Sequence, residues 1–186
     1  MRNYFEDLAK FVESKVKPSE VLISRLSAEE SDFIRFNKSA VRQATAVKQF
    51  SWSLTLIEGT RRIDSSLSLS GRLEADRAAL TSLLDTLRAG IADVPEDPFL
   101  LIETQPRTSA SERRGQLPDP ARVIDEVLAA AKGLDLVGFH ASGPIYKGFS
   151  SSLGVRHWHA VENFSFGWCL YHDRDKAVKT TYAGSQ

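Results

Sequence analysis

The sequence predicts an α+β fold, in which a largely antiparallel sheet and about three helices form two layers. Long stretches alternate apolar and polar residues with a period of two, as strands do, and three other stretches have the apolar spacing of helices. The order along the chain is one helix, several strands, two helices and several strands, which favours segregated layers. A length of 186 residues suggests one domain over 1–186.

The first helix is predicted over about residues 3–16. Phe5, Leu8, Val12 and Val16 have the spacing of a single helical face, and Pro18 follows shortly after. Such a stripe is expected to pack on another layer, and proline is common just beyond a helix end.

A β-hairpin is predicted in "QFSWSLTLIEGTRRIDSSLSLSG". Trp52, Leu54 and Leu56 alternate with Ser and Thr, and the alternation resumes after Gly59. This pattern is typical of an antiparallel pair of strands with one buried face and one solvent-exposed face. The stretches "EVLISRL" and "DFIRFNKSAVRQATAVK" are expected to add further strands.

Two more helices follow. The apolar face of the second comprises Leu73, Leu80, Leu84, Leu87 and Ile91, before Pro95. The third has Asp119 as a capping residue, Pro120 in its first turn and Gly133 beyond its end. Its apolar face comprises Val123, Ile124, Val127, Leu128 and Ala131.

Residues 103–119 between these helices are predicted to form a mobile surface loop. The stretch is polar and contains prolines, as irregular surface segments often do. A phosphate or an acidic partner bound by Arg107, Arg113 and Arg114 is the alternative interpretation.

The last part of the chain is predicted to be strands separated by Gly and Ser turns, in "LDLVGFHASG", "PIYKGFSSSLG" and "GVRHWHAVENFSFGWCLYHDRDK". We expect the third stretch to be a hairpin that turns at Glu162-Asn163. A turn there lacks the glycine favoured in the tightest hairpins.

This third stretch contains three of the four histidines and the single cysteine. A zinc site needs four ligands around one point. On the expected hairpin, Cys169 points away from His157 and His159, and Cys169 and His172 lie on opposite faces of one strand. We therefore predict that these residues are structural and that the chain holds no metal.

Other catalytic patterns are absent from the sequence. It has no His-Glu-x-x-His, no phosphate-binding Gly-x-x-x-x-Gly-Lys loop, and no Gly-x-Ser-x-Gly around the serines of "GFSSSLG". Cys169 in an apolar strand is expected to be inert. We therefore predict no catalytic, cofactor-binding or metal-binding residues in this chain. A hydrolase that uses Cys169 or one of those serines stays open as an alternative.

Charge and composition restrict the partners. The 24 basic and 24 acidic residues cancel, so nucleic acid is not expected as a partner. No apolar run approaches the roughly 20 residues that span a bilayer, so a membrane is not expected either. A single cysteine allows no internal disulfide and favours the cytoplasm.

Two segments resemble the N-terminal part of the TldD/PmbA family, also called modulators of DNA gyrase. The first segment carries Arg35, Phe36, Asn37, Arg42, Gln43 and Gly59, and the second carries Gly138, Phe139, Ser151, Ser152, Leu153 and Gly154. Their order and spacing carry the resemblance, which extends from about residue 20 to the end of the chain.

The resemblance implies a role in proteolysis and peptide maturation. Active members of that family are zinc metallopeptidases that cleave unfolded peptides, and their His-Glu-x-x-x-His helix lies after this domain. Zinc is thus expected only in the half that this chain lacks, and whether the chain belongs to an enzyme stays open. The implied function is a non-catalytic domain that contributes to the substrate chamber and to subunit contacts.

The implied partners are an extended peptide and a TldD/PmbA-type subunit, in a homodimer or a heterodimer. The alternative is an independent binding or assembly module without peptidase activity.

Overall fold

The computed structural model describes residues 1–172 and 176–185. Within these residues it has three α-helices and seven strands, which confirms the α+β prediction. The elements are α1 (Arg2–Glu13), β1 (Glu20–Asn37), β2 (Ala40–Glu58), β3 (Arg61–Ser68), α2 (Leu73–Gly90), β4 (Thr108–Arg113), α3 (Pro120–Ala130), β5 (Asp135–Ser151), β6 (Arg156–His172) and β7 (Lys176–Gly184), with a 3-10 turn at Ile91–Asp93.

The strands form one sheet in the order β3-β2-β1-β5-β6-β4, and β7 also pairs with β6. The sheet is largely antiparallel, as predicted. The predicted hairpin is β2–β3, whose register runs from Ser51 opposite Ser68 to Glu58 opposite Arg61. Gly59 begins its two-residue turn with φ +60°, a conformation that glycine adopts without steric cost. The Ser and Thr residues that alternate with Trp52, Leu54 and Leu56 were predicted to face solvent. This is wrong for Thr55, which is buried.

The chain divides into two compact units. Unit 1 comprises Met1–Ala28, Gln49–Glu112 and Tyr146–His159, and unit 2 comprises Glu29–Lys48, Arg113–Ile145 and Ala160–Gln186. The strands β1, β2, β5 and β6 contribute residues to both units. One domain over 1–186 stays a prediction.

The core of unit 1 is centred on Phe5 of α1. Its ring is fully buried and lies 5.5 Å from Trp52 and 5.7 Å from Trp158, measured between centroids. Arg156 of β6 donates a 2.7 Å hydrogen bond to Glu13 at the end of the same helix. The predicted stripe of α1 therefore packs on the sheet, and aromatic pairs at such distances add to the hydrophobic stabilisation.

The core of unit 2 forms under α3. The side-chain carboxylate of Asp119 accepts hydrogen bonds from the amides of Ala121 and Arg122, as its predicted capping role requires. Capping satisfies amide groups that lack partners in the helix. The buried residues of this core are Ile34, Phe36, Val123, Ala131 and Leu136.

Two predicted chain reversals are wrong. β5 continues through Gly143-Pro144, and β6 is a single strand of 17 residues in place of the hairpin at Glu162-Asn163. β7 supplies the antiparallel partner of the second half of β6, from Phe164 to His172. A strand that is paired on both sides satisfies its backbone groups without turning, so weak turn residues inside it do not break it.

The prediction of a loop over 103–119 is wrong for six of its residues. Thr108–Arg113 form β4, which pairs with β6 as an edge strand. All six residues are exposed, which explains why the segment lacks the apolar alternation of a half-buried strand. The mobility of this segment stays a prediction. Asp173, Arg174 and Asp175 of the supposed hairpin lie outside the described residues.

The turn between β1 and β2 is unusual because it has no glycine. Lys38 and Ser39 have φ of +52° and +51°, which costs about 1–2 kcal/mol for each L-residue. The hydroxyl of Ser39 donates to the carbonyl of Leu134 over 2.6 Å and accepts from the amide of Leu136 over 3.0 Å. Contacts with the start of β5 therefore hold this turn in place.

Replacing Ser39 with alanine is expected to destabilise unit 2 by about 1–2 kcal/mol, because the buried amide of Leu136 loses its acceptor. Hydrogen exchange should show faster exchange at the Leu136 amide, and urea denaturation should show the lower stability. Threonine at 39 keeps the hydroxyl and should restore protection of this amide, but its branched Cβ is strained at the positive φ of this position, so it should not restore the full stability. Unchanged exchange in the alanine variant would contradict the role of the hydroxyl.

Candidate functional site

A cleft of about 520 Å³ opens on one face of unit 1. Its centre is formed by two neighbouring strands, with Arg25 and Ser27 on β1 and Lys147 and Phe149 on β5. Each pair is two residues apart, so both members project from the same face of their strand. Volumes of this size are typical of sites for small organic ligands.

The other strands of the sheet extend the cleft in the same way. Ser51 and Ser53 project from β2, His157 and His159 from β6, and Ser109 and Ser111 from β4. The alternate residues Trp52 and Trp158 point to the buried side and contact Phe5. One face of this part of the sheet thus forms the core, and the other presents polar groups from five strands.

The two cations of the cleft are positioned by their neighbours. Lys147 Nζ donates a 2.5 Å hydrogen bond to Ser27 Oγ, and the Arg25 guanidinium lies 5.4 Å from the centroid of the Phe149 ring. Neither cation has an ion pair with an acidic side chain among residues 1–172 and 176–185. The described residues that line the cleft include no aspartate or glutamate. The arrangement suits an anion.

A serine and a histidine meet at the β4 side of the cleft. Ser109 Oγ and His157 Nδ1 are 2.7 Å apart, within the range of a nucleophile and its general base. Such a pair also needs a third group that orients the base, and none of the described lining residues is an acid. We interpret the contact as one that fixes the imidazole beside Phe149, whose ring centroid is 6.0 Å away.

The ligand-like residues of the sequence do not form one group. His157 and His159 line the cleft, whereas Cys169 lies ten positions beyond His159 on the continuous strand β6. The parity argument against a shared site of Cys169 and the first two histidines is therefore wrong, since it depended on the hairpin. Within the described residues, no three His, Cys, Asp or Glu side chains are placed to hold a metal ion.

The serines of "GFSSSLG" have structural contacts. Ser152 Oγ accepts a hydrogen bond from the amide of Leu22, and Ser151 Oγ accepts one from the amide of Leu153. Ser150 is fully buried. These contacts fix the turn after β5, so none of the three serines projects into the cleft.

Sequence reasoning missed most of the cleft. Arg25, Lys147, Ser109 and Ser111 were not singled out, and β4 was expected to be a loop. The available signal was the spacing of two in each strand, which places two polar side chains on one face. The strand order that brings five such pairs together is not readable from that spacing.

Tyr4 and Asp76 of unit 1, which do not line the cleft, have shifted pKa values. Burial, followed by the hydrogen bond to Asp76, raises the pKa of Tyr4. Burial opposes ionisation of Asp76, but hydrogen bonds from the Ser70 amide and the Tyr4 hydroxyl outweigh it and lower the pKa of Asp76. This pair joins α1 to the start of α2, so its role is structural.

Unit 2 has a buried histidine that is separate from these features. His140 is 3% exposed and stacks on Phe164 at 5.9 Å between ring centroids. Burial lowers its pKa, with a weaker opposing effect from Asp32. An imidazole kept neutral among aromatic rings is typical of a core residue.

Unit 2 also has a free strand edge. β3 pairs with β2 only from Ser51 to Glu58, and the Leu69 amide bonds to the Phe50 carbonyl. Residues 40–48 of β2 have no strand on that side among those the structure describes. Residues 40–46 are all exposed. Such an edge has free backbone donors and acceptors and can accept another strand.

Large apolar side chains are also exposed in unit 2. Phe139, Val178 and Tyr182 are 49%, 69% and 59% exposed. Val178 and Tyr182 lie four positions apart on β7, so they share one face of that strand. None of the helices in the described residues has the length and apolar character required to cross a membrane.

Together these features define an α+β protein with a long-stranded sheet, a polar cleft in unit 1 and a free strand edge in unit 2. The sequence matches no protein-family model and no curated protein sequence. Solved structures with the same fold do exist. TldE from Thermococcus kodakarensis has 10% sequence identity and a TM-score of 0.67, and the alignment covers 98% of this chain and 43% of TldE.

Two proteins described as modulators of DNA gyrase have similar structures. The one from Thermotoga maritima has 12% identity and a TM-score of 0.61, with coverage of 98% of this chain and 42% of that protein. The one from Bacteroides thetaiotaomicron has 11% identity and a TM-score of 0.60, with coverage of 98% and 43%. The resemblance predicted from the sequence is thus confirmed at the level of the fold. The chain spans less than half the length of these proteins.

Proposed function

We propose that this chain is a non-catalytic N-terminal domain of a TldD/PmbA-type peptidase, and that it contacts an extended peptide and another subunit. The observation that carries the proposal is the fold similarity to TldE and the two gyrase-modulator proteins, over 98% of this chain. Peptidase activity in such an assembly would reside in residues outside this chain. A cytoplasmic location fits the proposal and stays a prediction.

The free edge of β2 supports the peptide contact. Residues 40–48 offer unpaired backbone groups, and strand addition recognises backbone more than side chains. This mode suits substrates that share an unfolded backbone and differ in sequence. The edge includes the Val, Thr and Gln of "AVRQATAVK", and Val and Thr favour extended structure.

The exposed apolar residues support the subunit contact. Val178 and Tyr182 lie on β7, and Tyr182 packs 5.4 Å from Phe164 between ring centroids. We propose that the second subunit covers Val178 and Tyr182, because removing large exposed apolar side chains from water favours association. Replacing Val178 with Lys should then weaken the association that light scattering detects with a TldD/PmbA-type subunit.

Hydrogen exchange with an unfolded peptide tests the peptide contact. We expect the peptide to slow exchange of amides in residues 40–48, because strand addition occupies the unpaired groups of this edge. A peptide of the same sequence with alternate N-methylated amides cannot pair and should give no protection. Equal protection by both peptides, or none by either, would contradict strand addition at β2.

A peptidase assay tests the non-catalytic part of the proposal. The chain should bind zinc weakly, if at all, and should not cleave an unfolded peptide. Stoichiometric zinc together with turnover would overturn it. The alternative of an independent assembly module is favoured if the chain copurifies from its source cell without a TldD/PmbA-type subunit.

A further inference from the structure

We propose that the cleft of unit 1 binds an organic carboxylate, with the charge held between Arg25 and Lys147 and the apolar part on Phe149. The cleft lies in unit 1, whereas the free edge of β2 lies in unit 2. This inference therefore goes beyond the peptide contact proposed above and does not depend on it.

The cleft carries two positive charges that no acidic side chain of its described lining neutralises. Arg25 and Lys147 carry these charges and are exposed. Two like charges on one face repel each other, and a bound anion relieves that repulsion. Both cations are exposed to solvent, so salt screens their attraction for a bound anion.

The two cations lie on neighbouring strands, Arg25 on β1 and Lys147 on β5. Adjacent strands in a sheet lie about 4.8 Å apart. The contact between Lys147 and Ser27 and the contact between Arg25 and Phe149 both join these two strands. The guanidinium and the ammonium can therefore reach the same carboxylate, and Arg25 has the fork of donors that binds carboxylates through two parallel hydrogen bonds.

The cleft also offers an apolar surface beside its cations. Phe149 lines the cleft, and its ring is flanked by Arg25 at 5.4 Å and His157 at 6.0 Å. An inorganic anion gains nothing from this surface, whereas a ligand with an aromatic or aliphatic group buries apolar area there. The cleft also lacks a helix N-terminus among its described lining, a common feature of phosphate sites. Its donors are side chains, including the hydroxyls of Ser51 and Ser53.

Paired small ligands provide the test. Benzoate and benzamide have nearly the same shape, but only benzoate has a negative charge. Titrations followed by NMR should give at least about tenfold tighter binding of benzoate, as a charge-assisted hydrogen bond predicts. Its shift changes should map to residues of the cleft. Inorganic phosphate, tested alone, should bind more weakly than benzoate.

Two variants test the cations. Arg25→Gln and Lys147→Gln should each weaken benzoate binding by about tenfold and leave benzamide binding unchanged. Matched controls are Arg122→Gln and Lys179→Gln, which remove the same charges from exposed positions in unit 2 and should change benzoate binding by less than about twofold. Arg25→Lys keeps the charge but loses the fork of donors, so its benzoate affinity should lie between those of the native protein and Arg25→Gln.

Acetyl-Phe-Glu-amide and acetyl-Phe-Gln-amide identify the source of the carboxylate. Preference for the glutamate peptide, lost in Arg25→Gln, supports a peptide side chain as ligand, and binding of benzoate alone supports a small molecule. Equal binding of benzoate and benzamide overturns the proposal, as does tighter binding of phosphate than of benzoate. Equal losses in the cleft variants and the unit 2 controls would also overturn it, because the effect would then be general electrostatics.

Discussion

Replacing Gly143 with alanine is expected to destabilise unit 2 by more than about 3 kcal/mol, which for a single substitution is a large effect. Gly143 has φ +151°, a conformation in a region that is nearly exclusive to glycine. A Cβ atom at this position would also overlap the backbone carbonyl oxygen of Glu30 and approach the Cα of Ser31. Backbone atoms of a paired strand cannot move aside cheaply, so both costs apply together.

Urea denaturation followed by the fluorescence of Trp168 measures this effect, because Trp168 packs against the core of unit 2. The matched control is Gly133→Ala. Gly133 also has a positive φ, of +79°, but a Cβ there meets nothing within 4 Å. This control should cost only about 1–2 kcal/mol. Similar losses in both variants would show that backbone conformation, and not the close approach to Glu30, sets the cost.

Gly143 also illustrates what could be predicted from the sequence. The sequence predicts a turn of Gly and Ser residues between "LDLVGFHASG" and "PIYKGFSSSLG", because both residue types are common in turns. In the structure β5 continues through it, and the glycine permits a close approach to the neighbouring strand. Local residue preferences do not distinguish these two uses of glycine, since the difference depends on a partner more than 100 positions away in sequence.

Elements with local signals were predicted well. The β2–β3 hairpin has clear alternation and a glycine in its turn, and α3 has its Asp119 cap, so both elements are predicted from local sequence, apart from the buried Thr55. The turn at Lys38-Ser39 was missed because contacts with Leu134 and Leu136 stabilise it instead of glycine. β4 was missed because all its residues are exposed.

The cleft was missed for a related reason. His157 and His159 have the spacing of potential metal ligands, but His157 contacts Ser109 and Phe149 on adjacent strands. His157, His159 and Cys169 are close in sequence and therefore suggested one site. In an extended strand each position adds about 3.3 Å, so residues ten positions apart lie far from each other. The site depends on strand order, and strand order follows from pairing between distant segments.

Replacing Arg88 with methionine is expected to cost about 3 kcal/mol at pH 7, because it leaves the carboxylate of Glu20 buried without a counter-charge. The Glu20 side chain is 4% exposed and that of Arg88 is 20% exposed. Two hydrogen bonds of 2.7 Å join them, from Nε to Oε1 and from Nη2 to Oε2. Arg88 also donates to the carbonyl of Lys15 over 2.6 Å, so the pair fixes the end of α2 against the chain that follows α1.

This loss should depend on pH in a defined direction. The hydrogen bond from Arg88 is the main reason that the pKa of Glu20 lies below its ordinary value of 4.5. A lowered pKa means that the native state binds fewer protons than the unfolded state. The stabilisation from Glu20 is therefore complete above pH 4.5 and is lost as the pH falls through the lowered value.

Urea denaturation at pH 7 and at pH 3 tests both expectations, with Trp52 and Trp158 as reporters of unit 1. The stability difference between the native protein and Arg88→Met should shrink at pH 3, because protonation of Glu20 removes the unpaired charge from the variant. Adding Glu20→Gln to Arg88→Met should recover part of the loss at pH 7 for the same reason. A difference that is equal at both pH values would show that packing of the Arg88 side chain, and not its charge, stabilises unit 1.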